Sequence, residues 1–254
     1  MEKRHCIGKG IFALLVAAAT LAGCTKDSDS NDTPTPTPPE AQGPYKEWPI
    51  KPVLDQKEKY FATFYTQAKA NEAISLRLSG NGWIDLNNNG KQDEDEKTEA
   101  FDGSEKNYTI KSQVFTIYGK FTSIEISNSK VKNVDLSSLP DIENLYLSHN
   151  QIDRLDFSQN KKLDYVNVKH NALSAEAMLT MAKTLPKRKE SEKSIIYLKN
   201  MSKHGEENDK NKVTKKVLDE LIKLNWVAKY SDEKGNDRNY EENLNQLDPD
   251  PSKN

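Results

Sequence analysis

Residues 121–173 read FTSIEISNSKVKNVDLSSLPDIENLYLSHNQIDRLDFSQNKKLDYVNVKHNAL, and this stretch repeats its apolar pattern every 21 residues. Phe121, Ile142 and Leu163 align in one column of the repeat. The other aligned apolar columns are Ile124, Leu145 and Val166; Ile126, Leu147 and Val168; Val131, Ile152 and Leu173; Val134 and Leu155; and Leu136 and Phe157. The pattern therefore predicts similar short units that stack on one another.

Each unit has the spacing LxxLxLxxNxL, which is typical of leucine-rich repeats. The LxL segment predicts a short strand with alternate side chains buried. A polar column of Ser129, Asn150 and Asn171 predicts side chains that bond backbone groups at the following turn. One unit cannot bury its apolar face alone, so neighbours must stack. The predicted fold class is α+β: a short leucine-rich-repeat solenoid of about 2–3 repeats at residues 121–173, with a cap at each end.

Both caps are predicted from the flanking sequence. An N-terminal β cap covers residues 45–120, with strands at Tyr60–Tyr65, Ile74–Leu78 and Val114–Tyr118 and turn signals at Ser79–Gly82 and Gly103. A C-terminal α/β cap covers residues 174–230. Its first predicted helix is capped by Ser174 and runs through Leu185, with Met178, Leu179, Ala182 and Leu185 on its apolar face. Its second predicted helix is capped by Thr214, with Val217, Leu218, Leu221 and Ile222 on one face. Strands are predicted at Ile195–Leu198 and Trp226–Tyr230. The polar tail, residues 231–254, is expected to be frayed.

The N-terminus predicts export and lipidation. Residues 1–23 have a basic start and a short apolar stretch, as in a bacterial signal peptide. The stretch ends Leu21-Ala22-Gly23-Cys24, which resembles a lipobox, so we expect cleavage before Cys24 and acylation of its thiol; an ordinary signal peptide is the alternative. Several acyl chains would anchor the chain stably to a membrane. Residues 24–44, rich in Asp, Ser and Pro, predict a disordered tether.

Charge and composition exclude some classes of function. The chain of 254 residues has 37 basic and 39 acidic residues and a formal charge of −2. Removing residues 1–23, which carry one acid and three bases, changes this to −2 − 2 = −4. This balance argues against nucleic acid as a partner. Of two cysteines one would leave with the signal, so no internal disulfide is expected. The 35% apolar content fits a chain with tails and a thin core.

Together these motifs resemble a known family. The order is the lipobox, the segment Trp83–Gly90 (WIDLNNNG), the short repeat array, the segment Asn171–Met178 (NALSAEAM) and a helix ending near Asn225-Trp226. This order is similar to that of the short leucine-rich-repeat, internalin-like surface lipoproteins of the Bacteroidetes. The run Lys26-Asp27-Ser28-Asp29 looks like the surface-export signal of such lipoproteins. The resemblance implies an outer-membrane lipoprotein that faces the cell exterior; a periplasm-facing tether is the alternative.

A candidate calcium loop lies in the β cap. Asp85, Asn87, Asn89, Gly90 and Glu96 fit the pattern D-x-[DN]-x-[DN]-G-x5-E. Two further positions complete the predicted ligand set, Asp93 through a water molecule and Lys91 through its backbone carbonyl. A structural Ca²⁺ with a Kd of about 10⁻⁴–10⁻³ M is expected for an extracellular loop of this kind. The alternative is a solvated acidic turn.

A candidate ligand surface is formed by the outward residues of the repeat strands. The predicted set on this concave face is Glu125, Asn144, Tyr146, Ser148, Tyr165, Asn167 and Lys169. Repeat proteins usually bind ligands there, and tyrosine supplies amphipathic contact area. A merely solvated sheet face is the alternative. His149 and His170 also lie 21 residues apart, as surface turn residues or, alternatively, as a metal pair or pH-sensitive patch.

No pattern of catalytic residues stands out in the sequence, so we expect no enzyme activity. The predicted function is a lipid-anchored, non-enzymatic binding or adhesion module for protein or glycan. The alternative is a structural or accessory envelope lipoprotein that docks a partner outer-membrane protein. Both predictions make the membrane, through lipidated Cys24, one partner of the chain.

Overall fold

Ten strands and two α-helices form the regular structure of residues 44–202 and 209–251, the residues that the computed structural model describes. The strands are β1 Phe61–Thr66, β2 Ala73–Asp85, β3 Glu99–Thr109, β4 Val114–Glu125, β5 Val131–Asp135, β6 Asn144–Tyr146, β7 Tyr165–Asn167, β8 Ser194–Asn200, β9 Trp226–Ser231 and β10 Asp237–Asn239. The helices are α1 Ala175–Thr184 and α2 Lys215–Lys223, and short 3-10 helices cover Pro44–Glu47, Tyr240–Glu242 and Leu244–Gln246.

The strands join in one mixed sheet that is organised around β4. On one side β4 pairs antiparallel with β2, and on the other it pairs antiparallel with β1 and then parallel with β6. From β6 the sheet continues in parallel through β7, β8 and β9, and β10 returns antiparallel to β9. β5 and β3 extend the antiparallel part beside β1 and β2. One long strand thus belongs to both parts of the sheet.

The predicted short leucine-rich-repeat solenoid is wrong: the structure is an α+β fold built on a mixed ten-stranded sheet with two helices. β4 runs unbroken across the predicted boundary at residue 120, so cap and repeat share a strand. The second half of the first predicted unit forms β5 and pairs antiparallel with β1. A 21-residue period indicates that neighbouring segments are similar. It does not indicate which strands the flanking residues pair with.

The predicted turn at Ser79–Gly82 is also wrong, because these residues lie in the middle of β2. The glycines serve a close backbone approach. A Cβ on Gly82 would lie 1.9 Å from the Tyr118 carbonyl oxygen, and one on Gly119 would lie 2.1 Å from that of Asn81. Glycine inside a strand is typical of such contacts between backbones.

A row of apolar side chains runs under the parallel strands and forms the core there. Ile124, Leu145, Val166, Ile196 and Ala228, one from each of the five adjacent strands β4, β6, β7, β8 and β9, are all buried. Both helices contribute buried residues to the same core: Met178, Met181 and Ala182 from α1, and Val217, Leu218 and Leu221 from α2. Each large side chain contributes about 1.5–3 kcal/mol when fully buried.

The predicted helices are confirmed. The Ser174 side chain caps α1 by accepting a hydrogen bond of 3.1 Å from the Ala177 backbone N–H. Thr214 stands at the N-cap of α2 without a side-chain cap bond, and Ile222, predicted on its apolar face, is exposed. No helix of the described residues is long and apolar enough to cross a membrane.

The expectation of a frayed tail is wrong for the part of the tail that the structure describes. β10 pairs with β9, and Tyr240 is completely buried against Tyr230, with ring centroids 4.7 Å apart. Asp248 accepts hydrogen bonds from Lys199 at 2.7 Å and from the Val213 backbone N–H at 2.8 Å. These contacts fasten a polar segment whose composition does not reveal them.

A smaller aromatic cluster fastens the start of the described chain. Tyr45 and Trp48 are buried against Tyr65 and Val114, and their rings meet edge to face with centroids 5.1 Å apart. The Tyr45 hydroxyl donates a hydrogen bond to the Asp135 carboxylate. Burial, followed by the nearby carboxylate, raises the pKa of Tyr45. The segment before β1 is thus tied to β1, β4 and β5.

Buried asparagine side chains satisfy the backbone at the turns that follow the parallel strands. Asn171 accepts from the Ile152 N–H at 2.9 Å and donates to the carbonyls of Leu147 and Val168 at 2.9 and 3.0 Å. Asn150 makes equivalent bonds, as the sequence predicts. Asn211 repeats the arrangement: its side chain accepts from the Leu173 backbone N–H and donates to the carbonyls of Val168 and Leu198. It lies 211 − 171 = 40 residues after Asn171 and falls outside the 21-residue period.

Replacing Asn171 by Ala should therefore destabilise the fold by about 1–3 kcal/mol, because it leaves the Ile152 N–H without its partner and removes one of the two amide donors to each of the Leu147 and Val168 carbonyls. Urea denaturation of the Asn171→Ala variant measures this loss. Asn107→Ala is the matched control, since Asn107 is exposed on β3 and should change the free energy of unfolding by no more than about 0.5 kcal/mol. Equal effects of the two substitutions would contradict this role of Asn171.

Candidate functional site

Strand pairing brings the predicted ligand residues together in two rows on one face of the sheet. The parallel register places Ser123, Asn144 and Tyr165 side by side. It also aligns Glu125, Tyr146 and Asn167 in the next row. The side chains between these rows are buried in the core, so the row residues point to the opposite, half-exposed face. Ser148 and Lys169 follow the strands at the same edge of this face.

Two residues that the sequence analysis did not assign extend this surface. Tyr197 of β8 is in register with Asn167, and Lys229 of β9 is in register with Tyr197. The alternation in the predicted strand at Ile195–Leu198 could have identified Tyr197, because it lies between buried Ile196 and Leu198. We call this surface the tyrosine face; it comprises Glu125, Asn144, Tyr146, Ser148, Tyr165, Asn167, Lys169, Tyr197 and Lys229.

Three tyrosine rings zigzag across the face. Ring centroids are 4.8 Å apart between Tyr146 and Tyr165, and 5.8 Å apart between Tyr165 and Tyr197. Burial raises the pKa of Tyr165 to about 12, with smaller contributions from Tyr146, Asp237 and Glu125. The Tyr165 hydroxyl therefore stays neutral and available as a hydrogen-bond donor throughout the physiological range.

Charged groups surround the third tyrosine. The Lys169 ammonium lies 4.9 Å from the centre of the Tyr197 ring and donates a 3.0 Å hydrogen bond to the Ser231 hydroxyl. The Lys229 ammonium lies 5.7 Å from the centre of the same ring. The Tyr197 hydroxyl donates to Asp237 at 2.9 Å, and its pKa is raised by burial and then by that carboxylate. Two ammonium groups therefore share one ring by cation–π attraction.

The predicted calcium loop folds around Asp85, which is completely buried at the end of β2. One carboxylate oxygen of Asp85 accepts from the N–H groups of Asn87 and Asn89 at 3.2 and 3.3 Å, and the other accepts from Gly90 at 2.8 Å. Gly90 has φ +67°, as the sharp bend requires. Burial raises the pKa of Asp85, although these backbone donors oppose the shift.

The other predicted ligands lie around this turn. Asp93 accepts from the side-chain amides of Asn87 and Asn89 at 2.6 and 2.9 Å. Glu96 is buried and accepts from the N–H groups of Leu86 and Asp93. Burial raises its pKa, and the charges of Asp85 and Asp93 add to this increase.

The loop chemistry suits a cation, but its ligands are not preassembled. Carboxylate and amide oxygens are the ligand types that Ca²⁺ takes, and the mutual repulsion of three carboxylates would be relieved by a cation. The Lys91 N–H donates to the Asn89 side-chain oxygen at 2.8 Å. In the part of the chain that the structure describes, no three His, Cys, Asp or Glu side chains are grouped as metal ligands. An ion would therefore have to replace the amide hydrogen bonds to Asp93.

The two histidines meet at neighbouring turns. The rings of His149 and His170 stack with centroids 4.1 Å apart and planes inclined by 20°. Both residues have positive φ, 55° and 52°, as turn residues. Asn200 Nδ2 lies 2.8 Å from His170 Nε2, and Asp209 accepts from the His170 backbone N–H at 2.7 Å. They occupy the predicted turns, and their imidazoles contact each other.

The predicted signal peptide at residues 1–23, lipidation at Cys24 and nearly all of the tether at residues 24–44 lie outside the described residues, which begin at Pro44.

Comparison with known proteins identifies no relative. No protein-family model matches the chain, and neither a curated protein nor a solved structure is similar enough to match it.

Proposed function

We propose that this chain is a lipid-anchored, surface-displayed and non-enzymatic binding module whose tyrosine face binds a protein or glycan ligand. The observation that carries the proposal is the continuous row of three tyrosine rings, in which Tyr146 and Tyr165 are half-buried at the surface and Tyr197 is buried beside them. Tyrosine combines apolar area with a hydroxyl, and it is enriched among the residues that dominate binding energy.

The surrounding groups suit a polar ligand. Amide groups of Asn144 and Asn167 lie beside the rings, and Lys169, Lys229 and Glu125 lie at the margins. Specific sites commonly combine apolar area with a few placed polar groups. The rings are held by inner strands of the sheet, which reduces the entropy that binding would cost.

The proposed location rests on the N-terminal sequence. Lipidation of Cys24 would attach the chain to the bacterial outer membrane, and the tether would hold the folded part away from the lipid surface. The run Lys26-Asp27-Ser28-Asp29 supports display on the cell exterior. A binding face of this kind would then meet ligands outside the cell.

We further propose that residues 85–96 bind a structural Ca²⁺ through Asp85, Asn87, Asn89, Asp93, Glu96 and the Lys91 carbonyl. Two buried carboxylates whose pKa values are raised by burial support this role, because an added cation would offset the cost of burying their charge. The ion would stabilise the end of β2.

Replacing Tyr146 and Tyr165 together by Ala should weaken ligand binding by roughly tenfold or more, because it removes two adjacent rings of the face. Binding is measured on an array printed with glycans and purified extracellular-matrix proteins. The control is Tyr60→Ala with Tyr108→Ala, which removes two tyrosines outside the face and should leave binding unchanged. Retention of binding by the Tyr146/Tyr165 variant, or absence of wild-type binding to both ligand classes, would contradict the proposal.

Calcium should raise the melting temperature of the protein. A site with a Kd of about 10⁻⁴–10⁻³ M stabilises the fold by about 1.4–2.7 kcal/mol at about 10 mM Ca²⁺. That corresponds to an increase in Tm of about 3–11 °C for a domain of this size. Asp93→Asn should abolish the increase. Asp95→Asn should retain it, since Asp95 lies in the same loop but pairs with Lys111 at 2.9 Å. A Tm that is equal in Ca²⁺ and in chelator would exclude the site.

Cys24→Ala should release the protein from the membrane fraction and abolish incorporation of labelled fatty acid. Brief protease treatment of intact cells should remove the wild-type protein while a periplasmic marker stays intact. A wild-type chain that resists the protease until the cells are lysed would instead indicate a periplasmic location.

A further inference from the structure

The charged groups on and beside the tyrosine face differ in their partners. Asp237 already accepts hydrogen bonds from Tyr197 and Ser231, at 2.9 and 3.2 Å. Glu125 lies 3.8 Å from Arg77. Lys169 and Lys229, in contrast, contact the Tyr197 ring and make no ion pair with any described residue. Lys169 and Lys229 are therefore the charged groups of the face that are placed to pair with an anionic group of a ligand.

The two ammonium groups are placed to act on one ligand. Both lie within 6 Å of the centre of the same ring, whose position is fixed by β8 and by the Asp237 hydrogen bond. A cation held over a ring keeps its attraction for an anion, because cation–π contact does not neutralise the charge. An anionic ligand group at this end of the face could thus contact Lys169 or Lys229, with Tyr165 and Tyr146 continuing the surface across the strands.

The sheet topology favours a glycan over a peptide. β6, β7 and β8 each pair with a strand on both sides, so their backbone groups are already bonded and cannot add a peptide strand. The face also offers no groove between helices for an amphipathic segment. It presents side-chain hydroxyls, amides and ammonium groups on a broad surface, which suit the many hydroxyl groups of a sugar chain.

We propose that the tyrosine face binds an acidic polysaccharide, with its carboxylate or sulfate groups at Lys169 and Lys229 and its sugar rings along Tyr165 and Tyr146. This inference rests on the proposed function and specifies the ligand class. The polysaccharide would lie across the strands, because Lys229 lies on β9, Tyr165 on β7 and Tyr146 on β6.

The proposal is tested with polymers that differ in charge but not in backbone. Binding of the full chain is measured by isothermal titration to polygalacturonate and its fully methyl-esterified form, and to dextran sulfate and unmodified dextran. Poly-glutamate represents an acidic peptide. We expect binding to at least one acidic polysaccharide, with affinity falling as NaCl increases, and no binding to the neutral polymers or to poly-glutamate.

The variant Lys169→Gln with Lys229→Gln removes both charges and keeps an unbranched aliphatic stem with a polar end. It should weaken binding of the acidic polysaccharide by roughly tenfold or more. Lys183→Gln with Lys187→Gln is the matched control, because both of these lysines are exposed and lie at or after the end of α1. It should bind like the wild type. Circular dichroism establishes that each variant is folded before titration.

Several results would overturn the inference: failure of the wild type to bind either acidic polysaccharide, equal binding of the neutral polymers, preference for poly-glutamate, or unchanged binding by the Lys169/Lys229 variant. The tyrosine variant separates the two proposals. If Tyr146→Ala with Tyr165→Ala loses binding while the lysine variant keeps it, the binding face stands and the acidic ligand class fails. If the tyrosine variant keeps binding, the proposed function fails as well.

Discussion

The parallel part of the sheet depends on asparagine side chains that take the place of missing backbone partners. Where the chain leaves β7, Asn171 supplies the partner of the Ile152 N–H and donates to the Leu147 and Val168 carbonyls, which Asn150 and Asn211 also bond. Asn150 and Asn211 act in the same way at the neighbouring turns. An unpaired buried group costs about 1–3 kcal/mol, so these turns keep one geometry. The strands between them are held in register, and with them the spacing of the three tyrosines.

The second constraint is that β4 belongs to both the antiparallel and the parallel part of the sheet. β2 pairs with one side of β4, and β1 and β6 pair with different parts of its other side. The antiparallel and parallel parts therefore cannot separate without breaking the hydrogen bonds of β4. The candidate calcium loop ends β2, and the tyrosine face begins at Glu125, where β4 ends. Both candidate sites therefore belong to one cooperative sheet.

Local features of this fold could be predicted from the sequence, and long-range pairings could not. The repeat reveals β6, β7 and their asparagines because neighbouring segments share one environment. It does not reveal Asn211, which reaches the same row from a loop after β8, nor the pairing of β5 with β1, since any two alternating strands can pair. Likewise, seven residues of the tyrosine face follow from strand alternation. Tyr197 and Lys229 join it only through crossovers that contain α1 and α2.

The attachment of Tyr45 and Trp48 has a mechanical consequence. Tension applied to the chain before Pro44 would first meet the aromatic cluster and the bond from Tyr45 to Asp135. It would then reach β1, which is hydrogen-bonded to β4 on one side and to β5 on the other. Pulling along β1 loads these two ladders in shear, so many hydrogen bonds must break together instead of one after another. The fold is thus suited to bear load that enters from its N-terminal side.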